Sequence, residues 1–301
     1  MAPLLTVNGV NLFGIGFAFS SLDGLRALPA KRWGSAEIPG RHGLVPSMSM
    51  NSFEQNEIPL TMWAAGPEGD WSARLAGFNS ILDLLFHLFG STDRLLDVRV
   101  DPGNGAIRQA LARVTQAVTL ETTEHPGGQF TVLLELPHAF WQDVEPSTFS
   151  GTTSATSPHN LTVSTLTGAT APIEDAQILV HGPAASGVRL SSPDTGGWIV
   201  LNRALASSEV WRIDAERWRS EIGGVGMGFD GPADSDVIAV TDWAGSGARL
   251  FTMVPTVAWP VDPTPEFVRD SAQERLVRLT LSGGGFGTNT RVQVRARRKF
   301  L

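Results

Sequence analysis

The stretch DWSARLAGFNSILDLLFHLFG, Asp70 to Gly90, decides how this chain folds. Trp71, Leu75, Phe78, Leu82, Leu85 and Phe89 recur at steps of four and three, which draws one apolar stripe along a helix. Asp70 stands where a carboxylate accepts hydrogen bonds from the first free N–H groups, and Gly90 suits the position past the last turn. Ile81, Leu84, Phe86 and Leu88 widen the apolar surface well beyond the stripe. A helix this apolar needs cover on more than one side. A sheet of its own domain can supply one side. A neighbouring subunit can supply the other, which makes the six stripe residues a candidate subunit contact. The competing reading is burial wholly within one domain.

On either side of the helix the pattern is that of strands. Leu4 to Val7 and Val10 to Phe13 flank Asn8-Gly9, a pair that accepts the positive φ of a tight hairpin turn. Pro39, Gly40, Arg41 and Gly43 form a structural turn, because Pro39 presets its φ and the glycines are free to take unusual ones. The turn leads into a strand in which Leu44, Pro46, Met48 and Met50 alternate with Val45, Ser47, Ser49 and Asn51. Ile58, Leu60 and Met62 alternate too. Pro59 has no N–H for a ladder, so that strand should be an edge or start at a bulge. After the helix, Leu96, Val98 and Val100 read as a strand, Ile107 to Val114 reads as either strand or helix, and Phe130 to Leu136 alternates cleanly before Pro137. The first part is therefore an α+β domain dominated by β, with one long helix packed on sheets.

Residues 146–160 are rich in Ser and Thr and poor in large apolar side chains, which suits a linker. Beyond them helix signals nearly vanish. Ile178–Val180, Trp198–Leu201, Val210–Ile213, Leu250–Val254, Val277–Leu281 and Val292–Val294 are short strand candidates separated by turn residues. Such punctuation argues for a β-sandwich or jelly roll. The expected layout is a domain over 1–145, a linker over 146–160 and a second, sandwich domain over 161–301, in a chain that is mainly β.

Composition narrows the function. The chain has 301 residues, a net charge of -7 and a pI near 5.4, so no overall field draws it to nucleic acid. It has no cysteine, which removes disulfides, thiolate metal sites and a cysteine nucleophile. Charged residues make up only 18%, and hydrophobic residues 42%. The opening lacks a basic segment before its apolar residues, so no secretion signal is expected. No window is apolar enough to insert in a bilayer.

Candidate chemistry is thin. Gly223–Gly228 and Gly283–Gly287 match neither dinucleotide nor P-loop spacing, and turns explain them. His42, His87, His125, His138, His159 and His181 are scattered without ligand spacing, and His87 reads as a core histidine. Asp143 with Glu145, and Asp214 with Glu216, are paired only in sequence. No Ser/His/Asp set stands out. Neither a catalytic residue, a cofactor nor a metal is expected. Trp198, Trp211, Trp218 and Trp243 crowd the second half; core packing is the plainer role, and stacking on sugar rings the other. Arg291, Gln293, Arg295 and Arg297 share one strand face opposite Val292, Val294 and Ala296. That face reads as solvated, with contact to an acidic subunit or to passing DNA as the alternative.

Taken in order, these motifs resemble the distal tail proteins of siphophages, particularly those of actinobacterial phages. The opening hairpin is followed by Ile38-Pro39-Gly40-Arg41 with Gly43, the helix after Trp71, and a strand closing in Pro137 to Trp141. Then come Ala171 to Ile173, Ile178 to Pro183, Trp198 to Leu201, Val210 to Asp214, and the ending Arg297 to Leu301. The resemblance covers nearly the whole chain. It implies a non-enzymatic virion protein, made in the host cytoplasm and located at the tail tip. It implies a homo-oligomer, a hexameric ring that extends the tail tube as a baseplate hub, with a galectin-like second domain facing outward. The implied partners are the major tail tube protein, the tape measure protein, and tail-associated hub and receptor-binding proteins. DNA would pass through the lumen without specific binding. The alternative on the same sandwich is a carbohydrate-binding tail adhesin.

Overall fold

The computed structural model describes residues 5–14, 17–21, 31–37, 44–53, 56–90, 94–101, 105–116, 119–122, 126–153, 157–244, 253–256 and 275–300. The chain is mainly β, with one long helix among the described residues, and it divides into two compact units at Val144 and Glu145. No helix among these residues is long and apolar enough to cross a membrane. The turn residues Pro39, Gly40, Arg41 and Gly43 lie outside the described residues, as do His42 and His125.

In the first unit the strands are β1 (Leu5–Val7), β2 (Val10–Asn11), β3 (Phe17–Ser21), β4 (Lys31–Glu37), β5 (Leu44–Phe53) and β6 (Asn56–Ala65). Helix α1 (Trp71–Phe89) follows, then β7 (Leu96–Val100), β8 (Arg108–Val114), β9 (Thr119–Thr122), β10 (Gly127–Leu136) and β11 (Trp141–Asp143). The hairpin expected at Asn8-Gly9 is present, with φ of 50° and 82° at the two turn residues. The main sheet runs β2-β1-β7-β8-β10-β6-β3, all antiparallel, and β4 pairs with β5 separately. The ambiguous run at 107–114 becomes strand β8, because β7 on one side and β10 on the other offer it ladder partners.

Pro59 shows how a proline fits in this sheet. Strand β6 pairs along its whole length with β10, and Pro59 lies opposite Leu133. On the other side β3 reaches only Thr61 to Ala64, with its register broken between Phe19 and Ser21. No described strand pairs with the outer side of β6 at Pro59, so the absent N–H leaves no ladder group orphaned.

The second unit contains β12 (Ser147–Thr152), β13 (His159–Thr162), β14 (Gln177–His181), β15 (Val188–Ser191), β16 (Trp198–Leu201), β17 (Glu209–Asp214), β18 (Arg219–Gly224), β19 (Ser235–Asp236), β20 (Thr241–Ala244), β21 (Arg278–Ser282) and β22 (Arg291–Ala296). One sheet has the order β12-β22-β14-β17-β18-β19 and the other β13-β21-β15-β16-β20. Ile178, Val180, Trp211, Ile213, Val292 and Val294 of the first sheet share one core with Val188, Leu190, Ile199, Leu201, Leu279 and Leu281 of the second. This is a sandwich of two antiparallel sheets. The segment 146–160 contributes β12 and the start of β13 to it. Alternate side chains of β12 are exposed, which suits an edge strand rich in Ser and Thr.

Candidate assembly surface

Helix α1 is fixed first at its start. Asp70 Oδ1 accepts from the Ala73 N–H at 2.8 Å, and the Asp70 carbonyl accepts from Arg74 N–H at 3.0 Å. The chain leading in then presses on the first turns. A Cβ at Gly66 would sit 2.0 Å from the Arg74 carbonyl oxygen, and one at Gly77 would sit 2.3 Å from Pro67 Cδ. Only glycine permits either approach. At the far end Gly90 ends the helix with right-handed φ and ψ, and its N–H bonds to the Phe86 carbonyl at 2.8 Å. The left-handed geometry common past a helix end is not used here.

The stripe read from sequence divides in space. Phe78, Leu85 and Phe89 are buried together with Leu88. Phe78 meets Phe130 of β10 at 6.3 Å between ring centroids, so this face packs on the side of the sheet that carries Leu60, Met62, Phe130 and Val132. Leu82 is half-buried. Trp71 and Leu75 stand in solvent at 56% and 41% exposure, and Phe86 joins them at 51%. Steps of four, seven and four separate Trp71, Leu75, Leu82 and Phe86, close to whole helical turns. They therefore form a flank about 22 Å long beside the buried face. Ser72, Ala76, Asn79, Ser80, Asp83 and His87 make the remaining, solvated side. His87 is exposed, so it is not the core histidine its apolar neighbours suggested; it lies opposite the buried face.

Several of the remaining candidates serve the protein's own structure. Asp214 accepts from Gln177 Nε2 at 3.2 Å and from Arg217 N–H at 3.0 Å, which staples the turn after β17, while Glu216 is exposed. Asp143 is half-buried and Glu145 exposed. Among the described residues no three His, Asp or Glu side chains gather as a metal site would need. Trp211 is buried and donates to Ser220 Oγ at 2.8 Å, and Ser220 Oγ meets Thr241 Oγ1 at 2.7 Å. Trp198 lies under Arg189, and Trp218 stacks on Trp243 at 6.0 Å. Gly283 and Gly285 take φ of 146° and 71° in a turn closed on Ala185.

Gly223 and the residues after it do something the sequence did not announce. They lead into a strap that folds over the outer face of the β12-β22-β14-β17-β18-β19 sheet. Met227, with Phe229 and Ala233, packs on Leu179 and Val210 there. A Cβ at Gly223 would stand 2.6 Å from Met227 Sδ, so the strap needs glycine beneath it. Arg212 Nη1 donates to the carbonyls of Gly228, Phe229 and Gly231 at 3.1, 3.1 and 2.6 Å, and its other nitrogens hold Glu221. Arg295 holds Asp230 at 2.5 Å and lies over the Phe229 ring at 4.8 Å. The Arg295 guanidinium keeps the Asp230 carboxyl below its ordinary range, through hydrogen bonding first. The basic face expected on β22 is thus partly neutralised by the chain's own strap.

No family model and no curated protein matches the sequence. Solved structures do. The crystal structure of the SPP1 Dit (gp 19.1) protein, described as a paradigm of the hub adsorption apparatus in phages infecting Gram-positive bacteria, aligns over 100% of both chains. It does so at 14% identity and a TM-score of 0.58. The likeness shows that this chain has a Dit-like fold throughout. The phage p2 baseplate in its activated conformation with Sr also aligns over 100% of both chains, at 9% identity and a TM-score of 0.37, too low for a shared fold to follow.

Proposed function

We propose that this chain is a distal tail protein, a structural component of a phage tail tip that closes into a ring of identical subunits. One observation carries the reading: a Dit-like fold over the full length whose only long described helix leaves an apolar flank in solvent. Trp71, Leu75, Leu82 and Phe86 are poised to seat on a second copy. Trp71, Leu75 and Phe86 are about half exposed, so covering the flank gains part of the about 1.5–3 kcal/mol that full burial of such a side chain gives, and a closed ring repeats that gain at every contact. In this reading the ring extends the tail tube, and six subunits follow from the family resemblance. The tape measure protein and tail-associated hub and receptor-binding proteins attach to it. The role is mechanical, not catalytic, and its place is the virion tail tip. Negative-stain images of the purified full chain test it: closed rings are expected, and dispersed monomers at high concentration would overturn it.

A further inference from the structure

The outer face of the β12-β22-β14-β17-β18-β19 sheet is not covered evenly. In register, Thr152, Arg291 and His181 lie opposite one another across β12, β22 and β14. Opposed residues of an antiparallel sheet share a face, and Val292 and Val294 occupy the core side, so this row faces out. The row runs on into Val210 and Gly223, which Met227 of the strap covers, while Thr152 and Arg291 stay exposed. Beside it the turns at Ser207 and at Thr288 and Asn289 rise to enclose a concavity of about 330 Å³.

Its chemistry is one-sided. Arg212 and Arg295, on the same face, are each paired with a carboxylate, Glu221 and Asp230. Among the described residues Arg291 pairs with none, and it is exposed at the mouth of the concavity. His181 is buried, which lowers its pKa; the hydrogen bond with Gln293 opposes that shift and the nearby Arg291 charge adds to it. Nε2 of His181 lies 2.8 Å from Gln293 Oε1. A neutral imidazole donating from Nε2 keeps Nδ1 as an acceptor. The rest of the lining offers the hydroxyls of Thr152, Ser207 and Thr288, the amide of Asn289, and one apolar side chain, Val225, against which a sugar ring's C–H face can rest. No carboxylate lines it. One unspent guanidinium amid hydroxyls and an amide, with a neutral acceptor beside them, matches a small oxyanion that also bears hydroxyl groups.

We propose that this concavity binds the carboxylate or phosphate of an acidic saccharide, with Arg291 on the oxyanion and the Thr, Ser, Asn and His side chains on the sugar hydroxyls. The site needs no second subunit, so it stands or falls apart from the ring. Titration calorimetry on the full chain tests it with glucuronate, glucose 6-phosphate, glucose and inorganic phosphate as probes. Either acidic sugar is expected to bind. Glucose is expected to bind about tenfold more weakly or worse, and Arg291→Gln to weaken the acidic sugar by about tenfold or more. Arg291 is exposed, so that variant should melt like the parent. Arg189→Gln, in the other sheet, should leave binding unchanged. Which acidic sugar binds separates carboxylate from phosphate recognition. Neither acid binding at about 10 mM would overturn the proposal. So would equal binding of glucose, unchanged affinity in Arg291→Gln, or inorganic phosphate binding as tightly as the sugar phosphate.

Discussion

The flank of α1 and the outer face of the β12-to-β19 sheet treat solvent in opposite ways. The sheet face is covered by its own chain: Met227 and Phe229 cover Leu179 and Val210, and Arg212 and Arg295 tie the cover down. The α1 flank has no such cover among the described residues, and Trp71, Leu75 and Phe86 stay in water. A chain that spends a whole strap, and the glycine beneath it, to cover one surface shows what its own apolar patches require. In the proposed ring the bare flank is the surface that another copy covers.

That contrast can be broken by experiment. The largest effect is expected from Leu75→Glu combined with Phe86→Glu. Both positions are solvent-exposed in the single chain, so the fold should persist with unchanged circular dichroism while rings give way to monomers in light scattering. Rings surviving both charges would remove the flank from the interface. Next comes Phe78→Ala on the buried side of the same helix, which should cost about 3–5 kcal/mol in urea unfolding of the first unit. A loss under about 1 kcal/mol would mean that α1 is held by something other than this face. Arg212→Ala strips three strap carbonyls and Glu221 of their donor, and should lower the stability of the second unit by about 2–3 kcal/mol. Hydrogen exchange should rise at residues 225–233, and protection left as before would show that Met227, Phe229 and the Arg295–Asp230 pair hold the strap without Arg212. The smallest effect is Asp70→Ala, about 1 kcal/mol through loss of the cap to Ala73. Melting at the parental temperature would make the cap redundant with the grip of Pro67 on Gly77.

Local chemistry was readable in the sequence and distant pairing was not. Asn8-Gly9 specifies its hairpin with two residues, and Asp70 and Gly90 bracket α1 because caps act within one turn. The second unit's strands follow from alternation, as Val292, Val294 and Ala296 show by all facing inward. The strap could not be seen this way. Its glycines look like any turn, and its anchors join Arg212 to carbonyls up to 19 residues away and Arg295 to Asp230 across 65. The run at 147–152 looked like a linker because an edge strand partnered on one side needs few apolar residues. Within α1 the periodicity located the apolar arc. Which part of that arc meets the sheet depends on Gly66, Pro67 and Gly77, whose close approach has no signature in the pattern.

Three aromatic side chains allow the decisive measurement. In the single chain Trp71, Phe86 and Trp218 have similar exposure, 56%, 51% and 48%. Hydroxyl-radical footprinting of the purified full chain should therefore label Trp71 and Trp218 alike if the protein is solitary, with Phe86 labelled as a free phenyl ring of its exposure. The account predicts strong protection of Trp71 and Phe86 with Trp218 still labelled, and restored labelling of Trp71 in the Leu75→Glu, Phe86→Glu variant. Labelling of Trp71 equal to that of Trp218 in the parent, unchanged in the variant, would contradict it.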